Sequence, residues 1–271
     1  MKVCFITGVG HSGTTLLGLI LGSHSNGFFC GETENTRILQ EANKPYGKGV
    51  CKICGPECSI WSNIEYSPKL YEEISDKTQK SFIIDSTKNG PWIEQQLVTV
   101  RNSSVQPFLI LMQRDGRASI NSYIKRYPER DIKGLIEKWV AKMQRSNDLF
   151  ARFENKKMKI RYEELATNPE LVVGNICKFL EIDYQPDMLN FYQHEHHPLG
   201  GNDGTLILVA KGQGEKGKEA FVNSSNWKID YYRNHNLGIK LDDRWKQELD
   251  PAIQSLFQEI AGKENEELQW N

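Results

Sequence analysis

The chain has no long apolar run, no excess charge of either sign and few cysteines, and each shortage excludes a class of function. The apolar stretch near the start, Leu16 to Leu21, is too short to span a bilayer and follows a glycine-rich loop instead of a basic leader. No export or anchoring signal is legible, which predicts a cytoplasmic protein that does not attach to membranes. A formal net charge of -1 gives no global attraction to nucleic acid or to an anionic surface. Any recognition of anions must therefore come from a local cluster of donors. Six cysteines in 271 residues are too few for a disulfide scaffold and point to a reducing compartment. Internal repeats and low-complexity tracts are also missing, so solenoid and linker architectures fall away.

With 38% apolar and 10% aromatic residues, the chain can bury one core over 1–271. Lys2 to Thr7 is a β-branched and aromatic run, followed by a glycine-rich loop and a helix-compatible stretch from Thr14 to Leu21. Further strands are predicted at Gly27 to Cys30, Ser81 to Asp85, Pro107 to Gln113 and Met158 to Arg161. Helices are predicted around Trp92 to Val100, Arg117 to Arg126 and Ile132 to Phe153. The alternation implies a single α/β domain with a central parallel sheet flanked by helices. Ligands of such sheets sit beyond the carboxyl ends of the strands, where the first loop and the segments after Asp85 and Gln113 would converge. Two irregular stretches interrupt the pattern: a Cys-rich insertion at about 43–67 and a lid or acceptor-side segment at about 193–226. Asp242 to Ile260 reads as one helix, with a polar, frayed end from Lys263 to Asn271.

The first loop carries the clearest chemistry. Gly8, Gly10 and Gly13 let backbone N–H groups turn inward, and the helix that follows offers its positive end to an anion. Phosphate or sulfate is the implied ligand. The spacing of a nucleotide-hydrolysing P-loop, G-x-x-x-x-G-K-[ST], survives here, but Thr14 stands at the lysine position.

The stretch Gly8-Val9-Gly10-His11-Ser12-Gly13-Thr14-Thr15 resembles the phosphosulfate loop of sulfotransferases that use 3′-phosphoadenosine 5′-phosphosulfate (PAPS), G-x-x-[KR]-S-G-T-[TS]. His11 replaces the usual cation. Arg114-Asp115-Gly116-Arg117, with Ser122 eight residues after Arg114, resembles that family's 3′-phosphate motif, and a guanidinium plus a hydroxyl suits a phosphate monoester. Asp85-Ser86-Thr87-Lys88 resembles an Asp-Ser-Ser-Lys segment of bacterial members, and Ile160-Arg161-Tyr162-Glu163-Glu164-Leu165 resembles an Arg-Tyr-Glu-Asp-Leu segment.

The resemblance implies PAPS as co-substrate, bound by Gly10, His11, Ser12, Gly13, Thr14, Thr15, Arg114, Ser122 and Tyr162, with Lys211 as a further 3′-phosphate contact. It implies in-line sulfuryl transfer with His11 and Lys88 stabilising the departing phosphate. Glu32, after the second strand, stands where carbohydrate sulfotransferases carry an acidic base, with Glu34 behind it. His196, in the cluster His194, His196 and His197, is the histidine candidate for positioning the acceptor.

Cys51, Cys54 and Cys58 have C-x₂-C-x₃-C spacing, and a fourth ligand from Cys30 or a histidine would complete a zinc site. Three clustered ligands fall short, so no metal is expected, and lid-packing thiols or a disulfide are the leading readings. The expected acceptor is a hydroxyl or amine of a small molecule, such as a bacterial secondary metabolite. A P-loop kinase, supported by the Walker-B-like Phe82 to Asp85, and a nucleotide-binding module without catalysis stay open as alternatives.

Overall fold

Strand β1 (Lys2–Gly8) is apolar on both faces, with Val3, Cys4, Phe5 and Ile6 fully buried, as a strand covered by helices on two sides must be. The computed structural model describes residues 1–41, 49–101, 103–212 and 237–270. Around β1 it assembles an all-parallel five-stranded sheet in the order β2-β3-β1-β4-β5, where β2 is Gly27–Phe29, β3 Phe82–Asp85, β4 Gln106–Gln113 and β5 Lys156–Arg161. The predicted α/β class and central parallel sheet are observed. Register brings Phe5 opposite Asp85, Gly8 opposite Met112 and Gln113 opposite Arg161, so the carboxyl ends of β1, β3, β4 and β5 share one edge.

Side chains alternate along each strand and divide the core in two. Cys4, Ile6, Ile84, Ile110 and Met112 pack under helix α1 (Thr14–Gly22) and Val173, Ile176 and Leu180. Val3, Phe5, Ile83 and Leu109 pack on the opposite face with Tyr71, Ile74, Trp92 and Ile93. A third cluster joins the helix Gly116–Arg126 and the long helix Ile132–Arg152 to the C-terminal helix Pro251–Asn265, centred on Trp139 and Phe257. Among the described residues no helix is long and apolar enough to cross a membrane.

Two expectations at the C-terminal end are corrected. The single helix foreseen from Asp242 to Ile260 is split into Trp245–Glu248 and Pro251–Asn265. Pro251 forces its predecessor out of the helical region, and Asp250 caps the second helix by accepting from the Ala252 N–H at 2.8 Å. The polar tail is anchored instead of frayed. Asn265 is buried and accepts from the Gly116 N–H at 2.6 Å, the Trp270 N–H donates to Asp115 at 3.0 Å, and Arg161 donates to the Leu268 carbonyl at 2.9 Å.

The Cys-rich insertion is likewise well packed over its described part. Cys51, Cys58, Trp61 and Ile64 are buried in the second core cluster, because the apolar residues there outweigh the glycines and prolines that suggested a loose cover. Part of the segment at about 193–226 falls in 213–236, outside the described residues.

Candidate active site

The loop between β1 and α1 is built by backbone conformation. Gly8 and Gly13 have φ of +149° and +96°, and a Cβ on Gly8 would lie 2.3 Å from the Met112 carbonyl oxygen. His11 itself adopts a left-handed φ of +66°. Gly13 precedes the helix and no side chain caps it, so the N–H groups of the first turn are left for an anion.

This loop forms one wall of a cavity of about 560 Å³ at the carboxyl edge of the sheet. Of the sequence-predicted residues, Gly10, His11, Gly13, Thr14, Thr15, Glu32, Lys88, Arg114, Ser122 and Tyr162 all line it. The topology therefore gathers segments that are far apart in the chain into one crevice.

Arg114 leaves the end of β4 and is almost fully buried. One terminal nitrogen donates to the His11 carbonyl at 2.8 Å and the other to the Asp242 carbonyl at 2.7 Å, while the guanidinium lies 4.3 Å from the Tyr162 ring centre. Its Nε is buried and has no hydrogen-bond partner among the described residues. A buried donor left in this state fits an anionic group arriving from the cavity. Ser122 lies further along the helix Gly116–Arg126 and donates to the Ala118 carbonyl at 3.0 Å, which leaves its oxygen lone pairs free to accept. The Tyr162 hydroxyl donates to the Lys240 carbonyl at 2.9 Å, accepts from the Asp242 N–H at 3.1 Å, and is pushed up to about 12 mainly by burial.

Across the cavity, Lys88 donates to Glu32 at 2.5 Å, and both side chains are partly exposed. Glu34 also lines the cavity, but its carboxylate accepts from Asn89 at 2.7 Å. Asn202 closes onto the loop wall: its N–H donates to the Thr15 hydroxyl at 2.9 Å and its side-chain nitrogen lies 3.4 Å from His11 Nδ1.

Three predicted site residues are placed elsewhere. His196 is buried, its Nε2 2.9 Å from the Phe191 carbonyl and 3.4 Å from Ser23, and burial depresses its ring to about 4. It is a neutral core histidine and does not reach the cavity. Ser12 turns its hydroxyl beneath the loop toward Gly8, and its N–H closes the turn onto the Val9 carbonyl at 3.2 Å. Lys211 is exposed near the end of the helix Asp203–Gly212, one turn beyond Leu208, and is not itself among the residues that line the cavity.

Other lining residues were missed. Lys142 has its ammonium disfavoured first by burial and then by the charges of Lys88 and Arg145. Three and seven residues after Trp139 and Leu135, it is a lysine on the apolar face of an amphipathic helix, which was a usable signal. Asp242 and Arg244 also line the cavity, as do Lys52, Lys125 and Arg126. They sit among ordinary surface charges in the sequence, and only the fold marks them.

The Walker-B-like reading of Phe82 to Asp85 is overturned by burial. Asp85 is fully enclosed and accepts from Thr33, Tyr71, Thr87 and Trp92, so its oxygens are consumed as a structural hub and face no cation in the cavity.

Residues 106–186, which carry Arg114, Ser122 and Tyr162, match the family model described as "Sulfotransferase family". Over these residues the chain is similar to the sulfotransferase family. The chain is 27% identical to protein-tyrosine sulfotransferase A of Caenorhabditis elegans over 225 residues, covering 76% of this chain and 56% of the relative. It is 25% identical to protein-tyrosine sulfotransferase 1 of Danio rerio, covering 77% and 59%. It thus spans somewhat over half the length of these relatives.

Among solved structures, the sulfotransferase domain from the curacin biosynthetic pathway superposes with a TM-score of 0.65 at 17% identity, over 97% of this chain and 96% of that one. The sulfotransferase domain of the Synechococcus PCC 7002 olefin synthase gives 0.59 at 18%, over 96% and 94%. A mouse sulfotransferase complexed with PAP gives 0.51 at 14%, over 99% and 89%. The chain shares their fold.

Proposed function

We propose that the protein transfers a sulfuryl group from PAPS to an acceptor hydroxyl. The observation that carries this reading is the meeting of the β1–α1 loop, Arg114 with its unpartnered Nε, and Ser122 on the wall of one cavity. Two anion subsites on one cavity wall suit a nucleotide with phosphate groups at both its 5′ and 3′ ends, which is the chemical difference between PAPS and ATP. The neighbour solved with PAP supports the same donor.

The residues divide the work as follows. The loop N–H groups and His11 hold the 5′ phosphosulfate end, and Arg114 with Ser122 holds the 3′-phosphate. Lys88 and Lys142 supply positive charge opposite the loop, where negative charge develops on the departing phosphate. Glu32, paired with Lys88, accepts the proton of the acceptor hydroxyl.

A hydroxyl or amine of a small soluble molecule is the acceptor favoured by the sequence. A second reading, a tyrosine hydroxyl within a peptide, is favoured by the names of the relatives, which are protein-tyrosine sulfotransferases. Two experiments test the proposal. Calorimetry compares binding of the 3′,5′-bisphosphate product with ADP, for wild type and for Arg114→Ala. A transfer assay with labelled PAPS then offers an aliphatic alcohol, a simple phenol and a tyrosine peptide in parallel. Binding of the bisphosphate that Arg114→Ala weakens by roughly 10- to 100-fold, with ADP bound much less tightly, supports the donor site. Preference for ADP, or indifference to Arg114, refutes it.

A further inference from the structure

Away from the donor-site chemistry, the structure gathers Cys51, Cys54, Cys58 and His197, with one ligand atom from each all within 4.8 Å of one another. The fourth member is not Cys30, which is buried in the core at the end of β2, but a histidine about 140 residues away in sequence. We propose that these four residues bind one zinc ion in a closed tetrahedral site that fastens one wall of the cavity.

The spacing is that of a metal shell. Zinc–sulfur bonds of about 2.3 Å and zinc–nitrogen bonds of about 2.0–2.1 Å at tetrahedral angles put sulfur and nitrogen about 3.5 Å apart. His197 Nδ1 lies 3.2 Å from Cys54 Sγ and 3.4 Å from Cys58 Sγ. All six cysteines of the chain are free, and three of them gather around this one imidazole nitrogen.

The backbone around the thiols is shaped for the same purpose. Gly55, with φ of +76°, turns the chain so that its N–H donates to the Cys51 carbonyl at 3.0 Å, and the Cys54 N–H points at Cys51 Sγ at 3.4 Å. An amide aimed at sulfur stabilises a thiolate ligand. The histidine is oriented as well. Glu195 lies 3.0 Å from Nε2, so that nitrogen carries the proton and Nδ1 is left for the metal, the carboxylate–histidine arrangement common around zinc. The ring stacks on Phe28, and the His197 carbonyl accepts from Trp61 at 2.6 Å. With four protein ligands there is no open position for substrate, so the ion is structural. Binding replaces the thiol protons, which leave to solvent.

The site has a mechanical consequence for the cavity. Immediately after His197, the Pro198 carbonyl accepts from the Lys52 N–H at 2.9 Å, and Leu199 bridges to both Cys51 and Gly31. The Glu32 N–H donates to the Leu199 carbonyl at 2.7 Å, and Gly200, Gly201 and Asn202 then line the cavity. One ion would tie the Cys loop to the strand-like segment that holds Glu32.

Metal analysis of the full chain, purified under reducing conditions and dialysed, is the decisive measurement. One zinc per chain is expected, and replacement by Co(II) should give thiolate-to-cobalt charge-transfer bands with tetrahedral d–d intensity. Cys54→Ser and His197→Gln should each lose the metal, Cys177→Ser should keep it, and Glu195→Gln should weaken zinc about 10- to 100-fold against a chelator. A reduced wild-type protein that holds no stoichiometric zinc and binds Co(II) without thiolate bands overturns the proposal, whatever the variants do. So does a loss of metal that Cys177→Ser shares equally.

Discussion

Asp242 places its carboxylate 3.2 Å from the Arg114 guanidinium, so the arginine assigned to the donor's 3′-phosphate already faces an anion supplied by the protein. Burial alone would raise this carboxyl, but Arg244 and Arg114 together hold it well below the usual range. A carboxylate depressed on folding adds stability that is present above about pH 4 and lost as the pH falls through its folded value. Asp242→Asn should therefore cost on the order of 1–3 kcal/mol at neutral pH, and the gap to wild type should close in acid. Urea unfolding at several pH values measures both.

The same substitution separates two roles for Asp242 in donor binding. If the incoming phosphate competes with the carboxylate, removing the charge relieves like-charge repulsion, and calorimetry should show the 3′,5′-bisphosphate binding several-fold tighter. Weaker binding would instead mean that Asp242 holds Arg114 in position for its ligand.

Glu32 and Lys88 are also in direct contact, and the proposed chemistry assigns them different steps. Glu32→Gln keeps the shape but removes the base, and kcat should fall by about 10²–10⁴ with little change in donor affinity. Lys88→Ala removes charge from the departing phosphate, with an expected loss of about 10²–10³. Because the two side chains share a 2.5 Å hydrogen bond, the double variant should be less impaired than the product of the single losses. Steady-state kinetics on all four proteins reads this, and strict additivity would argue against a working pair.

How much of the molecule was legible in the sequence depended on the range of the signal. The strands announced themselves because a strand buried on both faces must be apolar, as Val3 to Ile6 and Phe108 to Met112 are. Arg114 and Ser122 were found through their resemblance to the family's 3′-phosphate motif, which is legible because its spacing lies within one local unit, the turn from β4 into the helix Gly116–Arg126. Asp242 was not, since 128 residues separate it from Arg114 and nothing local marks it. The histidine cluster shows the limit most directly. His196 turns into the core and His197 toward the Cys loop, because neighbouring side chains of an extended segment point to opposite sides. Counting histidines could not say which would face outward, nor that one would meet cysteines some 140 residues away.

Asp85 tests the fold and excludes the kinase reading in one variant. Its carboxylate accepts from the N–H groups of Thr33 and Thr87, the hydroxyls of Thr33 and Tyr71 and the Trp92 indole, which ties β3 to the turn carrying Glu32. Asn at this position would turn an amide donor toward other donors, and a loss on the order of 3 kcal/mol or more is expected in denaturant unfolding. A well-folded Asp85→Asn protein whose Mg²⁺-dependent ATP turnover has collapsed would restore the kinase.

The anion loop makes the last prediction, through a pair of glycines that differ in their surroundings. At Gly8 a Cβ would sit 2.3 Å from the Met112 carbonyl oxygen, in the backbone of the neighbouring strand, and the φ of +149° is itself unfavourable for any L side chain. Neither the strand pairing of Gly8 with Met112 nor the turn can give way without moving the loop. Gly8→Ala should thus cost about 2 kcal/mol or more and weaken bisphosphate binding together with stability. Gly90 begins the helix Gly90–Val100, and a Cβ there would meet nothing within 4 Å, so alanine restricts the unfolded chain without a steric penalty in the folded one. Gly90→Ala should be neutral or stabilising by about 0.4–1 kcal/mol and leave binding untouched. Urea midpoints and calorimetry on the two variants decide the matter, and a harmless Gly8→Ala would mean that the close approach of β1 to β4 does not set the shape of the loop.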